Sequence, residues 1–296
     1  MSNQVIQLKK DQEKQVLNYY QTYQVPTTSP YMAALFKKEG VTISLYKSGK
    51  LLFQGSGAEQ EAKMWGGPSL QEEKGESGQD MPLIGTDEVG NGSYFGGLYV
   101  VASYVEPKDH SYLRSLGVND SKKLTDQHIL QIAPQLMQSI PHKALPVSPK
   151  RYNQAIEQGY NAVSIKIALH NQAIFLLQEA GYQAEKIVID AFTSRKNYFS
   201  YLKKEKNPVE KGIQLEEKAE GNYLAVAVSS IIARYLFLSY LEDISKQLGM
   251  KIPSGAGAQS DQVAAQLIQK YGMQALEETA KLHFANTQKA KKLIKP

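Results

Sequence analysis

Between Leu224 and Tyr240 the sequence LAVAVSSIIARYLFLSY carries a single charge, Arg234, and its apolar residues fall on every side of a helical wheel. A helix that is apolar all round cannot lie on the surface of a soluble domain; it must run through the middle of a core or through a bilayer. Its alanines and serines allow close approach by other elements, so the segment reads as the central helix of a large domain, and a membrane span is the weaker reading. No other stretch approaches the length of apolar residues needed to cross a bilayer, and Met1 to Lys14 is polar, without the apolar core of a secretory signal. The expectation is a chain that neither spans a membrane nor is exported.

What surrounds that helix alternates between strand and helix patterns. Leu83-Ile84 leads into Thr86-Asp87-Glu88-Val89-Gly90, and Gly97 to Val105 is a second apolar run, both strand-like. Thr125 can cap a helix through Gln127 to Met137, Val163 to Ala180 has helical spacing, and Ile187-Val188-Ile189 reads as a buried strand ending at Asp190. Helical patterns also cover Asp261 to Tyr271 and Met273 to Leu282, and the chain closes on a basic tail from Lys289. This alternation predicts an α/β domain.

The residues before it have a different character. From Tyr31 the sequence reads as a short helix; Val41 to Tyr46 alternates as a strand, Lys47-Ser48-Gly49-Lys50 supplies a turn, and Leu51 to Gln54 returns. A helical stretch follows from Ala58 to Trp65, and then GGPSLQEEKGESGQD, with almost no apolar residue, reads as a linker. The expected organisation of the 296 residues is thus a small α+β domain over 1–65, a linker over 66–80 and a larger α/β domain over 81–296.

The chain has no cysteine, which excludes disulfide frameworks, thiolate metal sites and cysteine nucleophiles and suits a reducing, cytoplasmic setting. Any metal must sit on oxygen or histidine, and none of the five histidines pairs with another at ligand spacing; His170 and His283, in helical context, read as structural. The net charge of +5 and a sequence pI of about 9.0 favour a polyanionic partner.

Three acidic positions stand out. Asp87 and Glu88 end an apolar strand before a glycine turn; in a regular strand they point to opposite faces, so they can share one metal only through twist or through the Glu88 carbonyl. Asp190 emerges from a buried strand, where an acid is costly unless bonded, paired or metal-bound. Glu220 directly precedes the central helix. Each has an ordinary structural alternative: a solvated turn or cap for Asp87-Glu88, a cap for Asp190, the helix dipole for Glu220. Their joint occurrence, each beside an apolar segment of one core, favours an oxygen-only site for Mg2+ or Mn2+ and, with two such ions, phosphodiester hydrolysis. In the turn after Glu88, Gly90 and Gly92 let backbone amides of Gly90, Asn91, Gly92, Ser93 and Tyr94 approach a sugar or phosphate, and Ser121, Lys122 and Lys123 after Asp120 offer a hydroxyl and two cations; a solvated basic turn is the alternative.

The strings Gly85-Thr86-Asp87-Glu88-Val89-Gly90, Asp120-Ser121-Lys122-Lys123-Leu124, Val188-Ile189-Asp190-Ala191-Phe192 and Ala225 to Arg234 resemble, in order and spacing, the type 2 ribonucleases H. Within that family the chain resembles the bacterial ribonucleases HIII: Tyr94-Phe95-Gly96 follows the turn, Lys218-Ala219-Glu220 carries glutamate where ribonuclease HII carries aspartate, and Lys281 to Thr287 (KLHFANT) stands near the end. The hairpin Thr42 to Gly55 resembles the family's N-terminal domain, whose fold is like that of the TATA-box-binding protein. The resemblance implies a ribonuclease H-like catalytic domain with Asp87, Glu88, Asp190 and Glu220 as metal-binding carboxylates. It implies an RNA/DNA hybrid as substrate, products with 5′-phosphate and 3′-hydroxyl ends, and a turn Gly90-Asn91-Gly92 that contacts ribose 2′-hydroxyls. It also implies that the N-terminal domain helps to hold the hybrid, with Lys37, Lys38, Lys47 and Lys50 as phosphate partners. The sequence departs from the family pattern at Asn91, at Gly97 where proline is expected, and at Gly221 where serine is usual. Excision of single ribonucleotides from DNA, as by ribonuclease HII, and non-catalytic hybrid binding are the alternatives. No obligate protein partner is expected, and a monomer is the default.

Overall fold

The computed structural model describes residues 3–8, 10–27, 29–65, 80–118 and 124–294. The chain divides into two compact units, Met1–Gly75 and Glu76–Pro296.

The first unit is a five-stranded sheet with two helices: β1 (Asn3–Gln7), α1 (Lys10–Tyr19), β2 (Gln24–Val25), β3 (Met32–Lys38), β4 (Val41–Tyr46), β5 (Lys50–Gln54) and α2 (Ala58–Met64). The order is β1-β5-β4-β3-β2, with every neighbouring pair antiparallel. The hairpin expected at Lys47 to Lys50 forms, closed by the Gly49 amide donating to the Tyr46 carbonyl at 2.9 Å. Alternation decides which face is covered. Ala34 and Phe36 of β3, Ile43 and Leu45 of β4, and Leu51 and Phe53 of β5 are buried with Val16, Tyr20, Ala58 and Ala62 from the helical side. The intervening residues Leu35, Lys37, Ser44, Lys50, Leu52 and Gln54 therefore belong to the helix-free face.

The stretch from Tyr31, read from sequence as a short helix, is instead the strand β3. Its residues Met-Ala-Ala-Leu-Phe-Lys-Lys are mostly good helix formers, but intrinsic propensity is a weak preference of tenths of a kcal/mol per residue. Burying Phe36 alone contributes about 1.5–3 kcal/mol, and only the period-2 arrangement buries Ala34 and Phe36 together while pairing with β4.

The second unit contains β6 (Leu83–Val89), β7 (Leu98–Val105), α3 (His110–Ser115), α4 (Asp126–Ser139), β8 (His142–Val147), α5 (Pro149–Glu157), α6 (Ala162–Glu179), β9 (Lys186–Asp190), α7 (Arg195–Leu202), β10 (Ile213–Glu216), α8 (Leu224–Leu248), α9 (Ala258–Tyr271), α10 (Met273–Thr279) and α11 (Ala285–Leu293). Its sheet runs β10-β9-β6-β7-β8, parallel among β10, β9 and β6 and antiparallel from β6 to β8. The α/β class expected from the alternation is what forms. Of the basic tail, Lys289 to Leu293 form the C-terminal end of α11, and His283 lies in the turn after α10 rather than in a helix.

Helices cover both faces. Leu83, Tyr99, Val101, Val105 and Val188 pack with α8, whereas Ile84, Ala102, Ile187 and Ile189 pack with α6. The apolar helix α8 is long enough to cross a bilayer, yet its residues from Leu224 to Ile244 are spent in this core. It crosses the sheet in backbone contact at Gly85, where a Cβ would lie 2.2 Å from the Val226 nitrogen. Ser229 fixes the crossing by donating to the Gly85 carbonyl at 2.8 Å and bonding the Ser103 hydroxyl at 2.9 Å. This crossing places the N-terminal end of α8 beside the ends of β6 and β9.

Candidate active site

The parity of β6 sorts its last residues onto two faces. Thr86 faces α6, where its hydroxyl shares a 2.6 Å hydrogen bond with His170 Nδ1. Asp87 faces α8 and bonds the Ser230 hydroxyl, and Glu88 faces α6 again. In the parallel ladder Gly85 pairs with Val188 and Thr86 with Ile189, so the next residues on the two strands, Asp87 and Asp190, come to lie side by side at the strand ends. Val188 packs with α8, which puts Asp190, two residues on, on that same face.

Glu220 arrives by a different route. β10 pairs with β9 through Glu216 and Asp190, and the chain then turns at Lys218, whose φ of 57° is the left-handed conformation that a non-glycine residue adopts at a cost of order 1 kcal/mol or more. A 3-10 turn, Ala219–Gly221, follows and leads into α8. Asp190 accepts a 2.8 Å hydrogen bond from the Ala219 amide and shares another with the Glu220 side chain. Asp87, Asp190 and Glu220 thus gather where β6, β9 and the start of α8 meet.

The charges are crowded. Burial, then the charge of Glu88 and that of Asp190, push the Asp87 carboxyl well above the usual carboxylate range, against the opposing pull of Ser230 and of the Glu88 amide. Burial, with the charges of Glu220 and Glu88, pushes Asp190 up to about 6 although the Ala219 amide opposes it. On the opposite face the sign reverses. Burial raises Glu88 too, but His170 and Lys166 outweigh it and hold the carboxyl below its usual value. Lys166 Nζ donates to Glu88 Oε1 at 2.9 Å, and His170 Nε2 bonds Oε2 at 3.0 Å. Phe192 closes this cage, with the Lys166 ammonium 4.0 Å from its ring centroid and His170 stacked at 5.0 Å.

Whether these residues suit a divalent cation can be judged from the donor set. Asp87, Asp190 and Glu220 supply only oxygens, the ligands that Mg2+ and Mn2+ prefer, and their mutual repulsion is what a cation would relieve. Among the described residues no three acidic or histidine side chains are already drawn around a common point. Asp190 is tied to Glu220 and Ala219, and the Glu88 carboxylate is committed to Lys166 and His170. The sharing of one ion by the neighbouring side chains of Asp87 and Glu88, which required a twist of the strand, is not what β6 provides.

Of the turn after β6, Asn91 and Gly92 are exposed, whereas Ser93 and Tyr94 are buried. Tyr94 bonds Thr287 Oγ1 at 3.0 Å and so supports the turn from behind. Gly90 has a φ of 103°, and the Gly97 carbonyl sits 2.2 Å from where its Cβ would be. Gly97, where proline was expected, lies against β8: its own Cβ would come within 1.9 Å of the Val147 carbonyl oxygen. Gly92 differs, since among the described residues no heavy atom lies within 4 Å of its Cβ position. Ser121, Lys122 and Lys123 lie outside the described residues. In the first unit Lys37, Lys47 and Lys50 are exposed, but Lys38 pairs with the buried Glu61, which also accepts a 2.6 Å hydrogen bond from Tyr20.

A family model described as ribonuclease HII matches residues 84–287, a span that runs from the strand bearing Asp87 to α11. The chain belongs to the ribonuclease HII family. A model for a domain of unknown function matches residues 3–77. Within the family, the ribonuclease HIII of Streptococcus agalactiae serotype Ia is 57% identical over 297 residues, covering 100% of both chains. That of Streptococcus pneumoniae serotype 19F is 58% identical over 278 residues, 94% of each. Among solved structures, Bst-RNase HIII in complex with Mn2+ is similar with a TM-score of 0.72 at 37% identity, covering 99% of each chain. The ribonuclease H type 2 class expected from the motifs, and its grouping with ribonuclease HIII, are thereby shown.

Lys166 and His170 were not singled out as site residues from sequence. The available signal was a lysine and a histidine four apart in a largely apolar helix, a spacing that puts both on one face.

Proposed function

We propose that this ribonuclease hydrolyses the RNA strand of RNA/DNA hybrids with Mg2+ or Mn2+ held by Asp87, Asp190 and Glu220. The observation that carries the reading is the placement of a buried Asp87 and a half-buried Asp190 side by side on the α8 face, with Glu220 against Asp190 and both aspartates raised in proton affinity. A bound divalent cation supplies the Lewis acidity that activates water and steadies the leaving oxygen in phosphodiester hydrolysis.

The chain's own residues orient the reactants. Ser230 holds Asp87, the Ala219 amide holds Asp190, and the Lys166–His170 cage anchors Glu88 and with it the end of β6. The Glu88 carboxylate acts as this anchor rather than as a ligand. In the reaction, the water oxygen bonds to phosphorus, the bond from phosphorus to the ribose O3′ breaks, and a proton passes to O3′, leaving 5′-phosphate and 3′-hydroxyl ends. The exposed Asn91 and Gly92 lie one turn beyond the carboxylates, and glycine at 92 leaves room for a ribose 2′-hydroxyl to approach the backbone. Lys37 and Lys50 on the helix-free face of the first unit, with Lys47 in its hairpin turn, hold phosphates. The absence of cysteine suits a cytoplasmic enzyme.

The test is incubation of the purified chain with a uniform RNA/DNA hybrid and with a DNA duplex carrying one ribonucleotide, each with Mg2+, Mn2+ or chelator. Metal-dependent cutting of the hybrid alone is expected. Cutting of the single-ribonucleotide duplex moves the activity to the ribonuclease HII type, and binding without cutting in any metal overturns the catalytic reading.

A further inference from the structure

Lys281 is fully buried. Its ammonium donates to the Gly96 carbonyl at 2.7 Å and reaches the Gly97 carbonyl at 3.5 Å, with the rings of Tyr152 and Phe284 at 5.8 and 5.7 Å. Among the described residues no carboxylate pairs with it. A buried cation without a counter-charge is costly, and a methionine of similar volume would fill the space without that cost. What the lysine does that methionine cannot is grip two carbonyls.

Those carbonyls belong to the segment that carries the substrate turn. The Gly97 carbonyl that Lys281 reaches is the atom abutting Gly90. The rest of the segment is stitched to the same C-terminal strap: the Lys281 amide donates to the Tyr94 carbonyl at 2.9 Å, the Gly96 amide to the Thr279 carbonyl at 2.9 Å, and Phe95 bridges Ala280. Thr287 meets the Tyr94 hydroxyl at 3.0 Å. Asn153 on α5 clamps the strap from its other side, donating to the Ala280 carbonyl and accepting from the Leu282 amide, each at 2.9 Å.

We propose that Lys281 is a positioning residue for substrate recognition: through Gly96 and Gly97 it fixes Gly90 and hence the placement of Asn91 and Gly92 against the RNA strand. The inference rests on the reading of that turn as the ribose contact. Burial lowers the Lys281 ammonium to about 7, and burial with the Lys281 charge lowers His283, which stacks on Tyr152.

The experiment compares the full-length enzyme with Lys281→Met, Thr287→Val and, within the turn, Asn91→Ala. The readouts are KM and kcat on a uniform RNA/DNA hybrid and amide hydrogen exchange of residues 90–97. Lys281→Met is expected to raise KM about tenfold with kcat changed by less than about twofold, the pattern of lost binding geometry rather than lost chemistry, and to speed exchange at 91–94. Thr287→Val, a milder cut at a second anchor, is expected to shift both readouts the same way by less. Unchanged KM and unchanged exchange in Lys281→Met overturn the proposal; if that variant does not fold, the same result in Thr287→Val does so. Should Asn91→Ala leave KM unchanged, the reading of the turn itself falls and the proposal with it. Should Asn91→Ala raise KM while both strap variants leave it alone, only the role of Lys281 falls.

Discussion

Each of the two sheets carries a pair of like-charged neighbours at a strand end, and in each the pair is split between faces. On β6, Asp87 turns toward α8 and other acids while Glu88 turns toward α6, the Lys166 ammonium and the His170 ring. On β3, Lys38 turns inward to Glu61 beneath the helices while Lys37 stays on the helix-free face. In both cases one member of the pair meets an oppositely charged partner and serves the fold, and the other faces away from that partner. Charge along the sequence therefore does not say which residues are available; the parity of the strand does.

The largest effect should come from the acids gathered on the α8 face. Asp87→Asn and Asp190→Asn are each expected to lower turnover about a thousandfold or more, since carboxylates around a metal act as a unit. Glu88→Gln should cost far less than either, and an equal loss would show that its carboxylate is a ligand after all. Stability should move the other way. Asp190 is raised in the fold to about 6, above its ordinary 3.8, so its contribution to stability is present below 3.8 and lost as pH rises through about 6. Without metal, Asp190→Asn should therefore melt higher than the parent above pH 6, and Mn2+ should raise the melting temperature of the parent more at pH 8 than at pH 5. A metal-induced shift that survives in Asp190→Asn would contradict the site.

Next is the opposite face. Lys166→Met leaves Glu88 buried beside His170 without its ammonium partner, and breaking a buried pair in this way costs about 3–5 kcal/mol. Urea denaturation should show that loss, with partial recovery in the double variant Lys166→Met with Glu88→Gln. A cost below about 1 kcal/mol, the value of an exposed pair, would mean that Glu88 is not held as described.

The first unit offers the same contrast at smaller scale. Lys37→Ala and Lys50→Ala should each flatten the dependence of hybrid affinity on salt by about one unit of slope, as expected for one phosphate contact. Lys38→Ala should leave the slope unchanged and lower stability instead. A slope change at Lys38 equal to that at Lys37 would erase the distinction between the faces.

Much of this was legible before the structure, and the physical reasons for the exceptions are specific. The long apolar patterns of β6, β7, β9, α6 and α8 were readable because each buries a whole face or circumference, and the acids at their ends followed. β8 and β10 were not: both lie at the edges of the sheet, β8 is half-exposed along most of its length and carries Pro146, and β10 has four residues. β3 was misread because helix formers fill a strand whose inward residues are only Ala34, Phe36 and Lys38. The split of Asp87 from Glu88 was anticipated from alternation, but the lysine and histidine that meet Glu88 sit far along the chain on α6, and pairing across that separation leaves no local pattern. Lys281 was hidden for a similar reason: a charged residue between short helices reads as surface until the strap is seen to lie under the turn.

Lys281 extends the contrast to a third lysine, because it is a buried cation that lacks what Lys38 and Lys166 have. A lysine paired with a buried acid keeps its proton; one facing only carbonyls and aromatic rings gives it up more readily, and burial lowers Lys281 from its ordinary 10.5 to about 7. Between those values the unfolded chain binds a proton that the folded chain has released, so this residue makes the fold more stable as pH rises from about 7 toward 10.5 and least stable below 7. Lys281→Met removes the difference. Thermal melts of the parent and of Lys281→Met in the presence of chelator should therefore show the largest gap at and below pH 7, with the variant the more stable, and the gap should close toward pH 10. A gap that does not change with pH would mean that the ammonium keeps its proton in the fold, held by the Gly96 and Gly97 carbonyls strongly enough to offset its burial.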